Sequence, residues 1–528
     1  MVVAPRRTAA PATTSLPRVG RTPLRRVLSG HSGTIGWPVV VVVFLVALAA
    51  RLVPVLRGGG LLGVDTYDDG VHYASALALV SGRLPYRDFL LLHPPGVVVA
   101  LAPFALLGHL TYDGWGLAAG RVAWMAMGSL TAVLVALALR RAGWWAALVG
   151  GIGYAVYLPA TRAERTTMLE GLTSFLLALA LVLLGTSRLR NRHRWWVYAG
   201  SGALLGFATA TKIWGIVVVL VVAGWVAMTA GMLLALRVLL GAVIAASVVC
   251  LPFFLAAPSS MWQMVVADQV GRPELPLGAL ARLAMIVGLP DEPPGNPAVV
   301  IAAVAAVGLM LLVALASGDR VAPALAIAMG AVILVSPSFY PHYPAVLAVP
   351  LALTAGTAAA AIRDWTAGWS VIVGRVGAVA ALAALVVLAM PFTQLKVGAR
   401  LPVASLAAVV DGRPGCVTAD DPTILVDFGV FDRNIERGCP VVVDLTGYSY
   451  HLTPGVDLPR TRNVVFQDFA LDYLSSGEVA LPWRLRGGWG YSRTTIRVIR
   501  SWPIAGQQGT YAVRRPLIAD QPIPASGR

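Results

Sequence analysis

Along the first 390 residues, long apolar runs alternate with short polar breaks; after that, apolar and polar positions mix irregularly. Continuous runs of about 18 or more apolar residues suit helices that cross a bilayer, and they lack the ten-residue alternation of a membrane barrel. Eleven spans are predicted, at 37–56, 122–139, 144–159, 168–184, 195–211, 213–230, 233–256, 297–316, 321–335, 343–361 and 371–390. A further run, 95–110, is shorter and opens on two prolines. Between the first span and this run lies a polar island, DTYDDGVHYASALALVSGRLPYRDFLLLHPPG, at 65–96.

Composition agrees with a polytopic helical membrane protein: 57% of residues are hydrophobic, 12% are charged, and mean hydropathy is +0.75. The N-terminal 1–35 segment, rich in Arg, Pro, Ser and Thr, reads as a disordered cytoplasmic tail without a cleavage site. A net charge of +16 invites a nucleic-acid partner, but the arginines cluster beside apolar runs, as the positive-inside rule requires, so none is expected. Parity then sets the topology. If the run 95–110 crossed, Arg140 and Arg141 would lie outside. If it lies along the outer surface, Arg140 and Arg141, Arg188 to Arg194, Arg320 and Arg363 all become cytoplasmic. The island, the segment around Arg162 to Glu170, Lys212, the 257–296 loop, 339–343 and everything after about 391 are then extracytoplasmic. Arg237 fits least well and is expected to snorkel.

Charges are costly in a bilayer unless they face water or a partner, so their collection at one interface points to function. Asp68, Asp69 and Glu170 are candidates for proton transfer, because a carboxylate beside a second acid can have its pKa raised towards working pH. Lys212, one of two lysines among 41 basic residues, is a candidate for binding phosphate; the plainer reading is an interfacial lysine. His72 and His93, without cysteines nearby, are poor zinc ligands.

The order D-D-G-x-x-Y, P-Y-R-D-F, H-P-P-G, an acidic residue opening a later helix, G-F-A-T-A-T-K, and H-Y at the head of a late helix resembles the GT-C type membrane glycosyltransferases. More narrowly, it is similar to the branch of protein mannosyltransferases and lipid A aminoarabinose transferases. The resemblance covers roughly 36–390 and also places juxtamembrane helices in the first external loop. It implies an inverting enzyme of the plasma membrane that moves a hexose or pentose, mannose or arabinose among them, from a polyprenyl-phosphate donor to a glycan, lipid or protein acceptor on the extracytoplasmic face. Asp68 or Asp69 then stands as general base and Glu170 as the second acid, with Glu164 competing. His93, Arg87, Arg162, Arg165 and Lys212 would bind donor phosphate or substrate, and His342, Tyr343 and Tyr73 would complete the site. No obligatory cofactor or metal is implied, although clustered carboxylates admit a divalent cation. A transporter or flippase is the alternative, but such proteins place charges near mid-membrane and carry repeats that are not found here; a receptor or scaffold leaves the charged cluster unexplained.

The chain thus divides into a tail at 1–35, a transmembrane catalytic domain at 36–392 and an extracytoplasmic α/β domain at 400–528. In the last, CVTAD, CPVVVDLTG, TTIRVIRSW and TYAVRR read as strands, and 422–438 and 464–474 as helices. Cys416 and Cys439 are a disulfide candidate outside the cytoplasm. The domain serves equally well as a structural cap or in acceptor recognition.

Overall fold

The computed structural model describes residues 36–189, 194–272, 277–289, 296–366, 395–456, 458–485 and 489–517. The tail at 1–35 and the predicted span 371–390 lie outside the described residues. The membrane part opens with α1 (Trp37–Arg57), followed by α2 (Tyr67–Val80), α3 (Gly96–Leu110), α4 (Asp113–Leu139), α5 (Trp144–Val156) and α6 (Leu158–Glu164). It continues with α7 (Leu169–Leu189), α8 (Trp195–Thr211), α9 (Gly215–Ala230), α10 (Met232–Ala256), α11 (Ala279–Ile286), α12 (Pro297–Ala316), α13 (Val321–Val335) and α14 (Ala348–Thr366).

The protein is a multi-pass membrane protein. Among the described residues five helical stretches are long and apolar enough to cross, namely Trp37–Arg57, Asp113–Leu139, Met232–Ala256, Pro297–Ala316 and Tyr343–Trp365. A sixth results if Leu158–Glu164 and Leu169–Gly185, bent by 110°, form one broken span. The predicted spans at 144–159, 213–230 and 321–335 are helices of 13, 16 and 15 residues, shorter than the roughly 20 needed at 1.5 Å rise per residue. At 144–159, Pro159 opens α6 instead of closing α5.

Small residues set the packing. Gly202 and Gly206 on α8 face α10 so closely that a Cβ would meet the Val238 carbonyl oxygen at 2.0 Å and that of Ala242 at 2.1 Å. A small-xxx-small stripe of this kind lets helix backbones touch where lipid offers no hydrophobic drive. Arg237 places its guanidinium 6.0 Å from the Trp195 ring, at the shared starting end of these helices.

The C-terminal domain contains α15 (Val403–Asp411), β1 (Val417–Ala419), α16 (Pro422–Asp427), α17 (Phe431–Glu436), α18 (Val464–Ser475), β2 (Val479–Leu481), α19 (Arg493–Ser501), β3 (Ile504–Gln508) and β4 (Tyr511–Arg514). Its sheet runs β1-β2-β4-β3, with β1 and β2 parallel and the other pairs antiparallel. CVTAD holds β1 and TYAVRR holds β4, but CPVVVDLTG is irregular chain and TTIRVIRSW is α19. In α19, β-branched residues suggest a strand, yet the buried positions Thr495, Ile499 and Trp502 follow helical spacing, and Ser492 caps the first turn by accepting from Thr495 N at 3.0 Å. The expected helix at 422–438 divides at Gly429, whose φ is +62°. Cys416 and Cys439 are joined, Cα to Cα 5.8 Å, tying β1 to the irregular chain after α17 instead of to a second strand.

This domain shares one apolar core with α2, α3, the island and the end of α10. At its seat, a Cβ on Gly70 would meet Thr423 Oγ1 at 2.1 Å. Asp113 accepts from the backbone N–H of Phe431 and Asp432 at 3.0 and 3.2 Å, and His109 Nδ1 lies 2.7 Å from Asp432 Oδ2. The segment 65–113 and the C-terminal domain are therefore packed together.

Candidate functional site

The site forms where helices stop. α8 ends at Thr211, and Lys212 leaves it in extended conformation (φ −141°, ψ 122°) before α9 begins. Gly96 of H-P-P-G lies against this break, since a Cβ there would meet the Ala210 carbonyl oxygen at 2.6 Å. Two of the sequence motifs are thereby in direct contact.

Lys212 is buried, and its Nζ forms an ion pair with Glu170 Oε1 on the first turn of α7. The ammonium also lies 4.2 Å from the Trp214 ring centroid and 4.1 Å from that of Tyr343, a geometry in which aromatic faces attract a cation. His342 Nε2 is 3.9 Å from Glu170 Oε1, and Tyr340 stacks on His342 with centroids 5.8 Å apart. Glu170 Oε2 is buried without a hydrogen-bond partner among the described residues. Behind Lys212 a narrow apolar cavity of about 30 Å³ runs between α7, α8, α9 and α13, lined by Leu177, Leu205, Val218, Met329 and Val346.

The two adjacent aspartates have different environments. Asp69 is fully buried: Oδ2 accepts from Arg121 Nε at 2.8 Å and is ion-paired with Nη2 at 2.5 Å, and Oδ1 accepts from Thr167 N at 2.8 Å and from Thr167 Oγ1 at 2.7 Å. Asp68 stays partly accessible and makes no hydrogen bond or ion pair with the described residues. Its carboxyl is within electrostatic reach of His342, Asp444, Arg272 and Glu170, and the surrounding protein raises its pKa above the ordinary carboxylate value. Asp444 comes from the C-terminal domain, held by Thr446 Oγ1 at 3.1 Å and Gly447 N at 2.8 Å.

Arg272 and His93 complete the pocket. Arg272 stands 5.1 Å from the Tyr450 ring, and its buried Nε has no hydrogen-bond partner among the described residues. His93 is held by Tyr86, whose hydroxyl donates to the His93 carbonyl oxygen at 2.7 Å, and its ring is 6.1 Å from that of His72. Burial first, then Arg272 and Lys212, push His93 well below its usual pKa, so it is neutral near pH 7. His72 Nδ1 lies 3.0 Å from the Thr167 carbonyl oxygen and is likewise pushed down by burial.

The structure thus gathers Asp68, Glu170, Lys212, His93, His342 and Tyr343. Other sequence candidates stand elsewhere. Tyr73 is buried with its hydroxyl donating to the Asp113 carbonyl oxygen at 2.9 Å, and Arg87 is exposed, paired with its neighbour Asp88 at 2.8 Å. Arg162 and Arg165 stand within electrostatic reach of Asp65. Glu164 binds Arg51 Nε at 2.6 Å and the Tyr154 hydroxyl at 2.5 Å inside the bundle. Arg272, Asp444 and Tyr340 were not singled out from the sequence. For Arg272 one signal existed, an arginine on the face that the positive-inside rule leaves poor in them. Among the described residues no group of three or more His, Cys, Asp or Glu is placed to hold a metal ion.

No protein-family profile matches the chain. No curated protein sequence matches it either. Its structure is similar to that of ArnT from Cupriavidus metallidurans bound to undecaprenyl phosphate, with TM-score 0.57 and 17% identity over 92% of this chain and 99% of that one. ArnT in the apo state gives 0.56 and 16% over 91% and 98%. The S. cerevisiae Pmt1-Pmt2 complex bound to the sugar donor gives 0.36 and 19% over 52% and 39%, too partial to bear on the argument. The chain therefore has the fold of ArnT, in the branch of folds that the order of motifs led one to expect.

Proposed function

We propose that the protein transfers a sugar from a polyprenyl-phosphate donor to a hydroxyl or phosphate of a glycan, lipid or protein acceptor, on the extracytoplasmic face of the plasma membrane. The observation that carries this reading is the Lys212 ammonium, paired with Glu170 and flanked by Trp214 and Tyr343, at the mouth of an apolar cavity between membrane helices. The apolar lining suits a prenyl group and the cation suits a phosphate. ArnT, whose fold the chain shares, has been solved with undecaprenyl phosphate.

In this reading the acceptor oxygen attacks the anomeric carbon as the bond from that carbon to the phosphate oxygen breaks. The acceptor proton passes to Asp68, and the polyprenyl phosphate leaves with the bonding electrons. Lys212 and Arg272 offset the charge growing on the phosphate. Attack opposite the leaving group inverts the anomeric centre. Asp69 stands outside this step: saturated by Arg121 and Thr167, it fixes α2 to the α6–α7 bend and so aims Asp68. Neutral His93 shapes the pocket, and the positive charge comes from Arg272. The scheme needs no metal ion.

The test is transfer of radiolabelled sugar from polyprenyl phosphate into extractable glycan, glycolipid or protein by membranes containing the protein; no transfer from any polyprenyl-phosphate sugar overturns the reading. The eleven-span topology places Arg140 in the cytoplasm, so a cysteine beside it that reacts with an impermeant reagent from outside refutes that topology.

A further inference from the structure

The C-terminal domain carries an apolar edge that the reaction does not use. Of eight large apolar residues that its described part exposes, five fall within fourteen positions: Leu452, Val456, Leu458, Val464 and Val465. Asn463 gathers them. Its Nδ2 donates to the Ser449 carbonyl oxygen at 3.2 Å and to Thr453 Oγ1 at 2.8 Å, while its Oδ1 caps α18 by accepting from Phe466 N at 3.1 Å. The turn at 449–453 and the start of α18 are thus neighbours. Scattered exposed apolar residues are ordinary, but a cluster of this kind marks a surface that meets something.

Its position decides what that is. His451 Nδ1 lies 2.9 Å from Asp268 Oδ2, and a Cβ on Gly271 would approach Gly455 N at 3.6 Å. Asp268 and Gly271 belong to the short segment directly after α10, a membrane-crossing helix that ends at Ala256. The edge is therefore tied to the segment that follows this membrane-crossing helix. That segment itself exposes Trp262 (62%) and Val270 (78%), and tryptophan favours the membrane–water boundary. Exposed Arg462 and half-buried Arg460 stand within the same edge.

We infer that Leu452, Val456, Leu458, Val464 and Val465, together with Trp262 and Val270, lie in the headgroup layer of the bilayer that the helices cross, with these apolar side chains at the acyl boundary and Arg462 beside lipid phosphates. A consequence that rests on the proposed function concerns the acceptor. Tyr450, on the same turn, packs under Arg272 of the site, so an acceptor carried on a lipid reaches the pocket along this edge without leaving the membrane.

The test needs no sugar transfer, so its failure is distinguishable from failure of the proposed function. Full-length protein with Cys250→Ala and a single Leu458→Cys or Val464→Cys is labelled with an environment-sensitive fluorophore and placed in nanodiscs of zwitterionic lipid with a fraction of anionic lipid. The expected result is several-fold stronger quenching by lipids with a doxyl group just below the headgroup than by aqueous iodide, at both positions. Efficient iodide quenching with no effect of doxyl lipid at either position overturns the inference. So does protection from both quenchers that appears only on adding a soluble protein fraction, since that assigns the edge to a protein partner.

Discussion

Replacing each of the adjacent aspartates by asparagine separates chemistry from structure. Asp69→Asn leaves the Arg121 guanidinium buried without its counter-charge and offers an amide to three hydrogen-bond donors that now meet one carboxylate. Breaking a buried ion pair from one side costs about 3–5 kcal/mol, so Asp69→Asn is expected to lower the unfolding midpoint strongly and to lose activity in proportion to folded protein. Asp68→Asn breaks no hydrogen bond and removes a negative charge that stands near Asp444 and Glu170. A carboxyl whose pKa is raised by folding contributes stability at low pH and loses it as pH rises through that raised value. At neutral pH Asp68→Asn is therefore expected to leave stability unchanged or slightly higher, while transfer falls by about 10²–10⁴-fold, the usual range for a general base. The assays are thermal unfolding of purified protein in nanodiscs and sugar transfer normalised to folded protein. If Asp68→Asn retains transfer, or if Asp69→Asn is fully stable and inactive, the assignment of the two roles is wrong.

Three further outcomes are expected. Because Asp68 must be ionised to act and burial raises its pKa, the acid limb of a kcat/KM profile should fall above the ordinary carboxylate value, with activity rising as pH rises through it; a limb near pH 4 contradicts this assignment. Lys212→Met alone strands the Glu170 charge and should cost about 3–5 kcal/mol, whereas adding Glu170→Gln should recover much of the stability without restoring transfer; a double mutant no more stable than the single one removes the ion pair from the argument. Arg272→Gln should reduce transfer by roughly 10–100-fold, as for a charged hydrogen bond of about 1.5–3 kcal/mol, and His93→Gln by much less. A reversed order in kinetic measurements restores His93 as the phosphate cation.

Much of the molecule was legible in the pattern of its residues. Ten of the eleven predicted runs fall on described helices with ends displaced by a few residues, apart from the one at 122–139, which starts nine residues earlier at Asp113, because continuous apolar composition is a strong local signal. The motifs also named six residues that meet. The failures have local causes. A three-residue strand such as β2 is too short to show a period, and α19 carries β-branched residues on helical spacing. Tyr73 and Arg87 belong to motifs whose neighbours reach the site, while their own side chains point to Asp113 and Asp88.

The sequence by itself determined that this is a helical membrane protein, since hydropathy is a property of chain segments, and the positions of its arginines supplied the expectation that the polar chemistry collects at one interface. Only the tertiary structure decided which charges are structural and which are available. Whether a carboxylate is saturated, as Asp69 is by Arg121 and Thr167, or unpaired, as Asp68 is, depends on partners 52 and 98 residues away. The same holds for the seat of the C-terminal domain, which brings Asp444 and Tyr450 to Asp68 and Arg272. Short-range pattern carries no information about contacts of that separation; the packing of α2 against α4, α16 and the α6–α7 bend makes them.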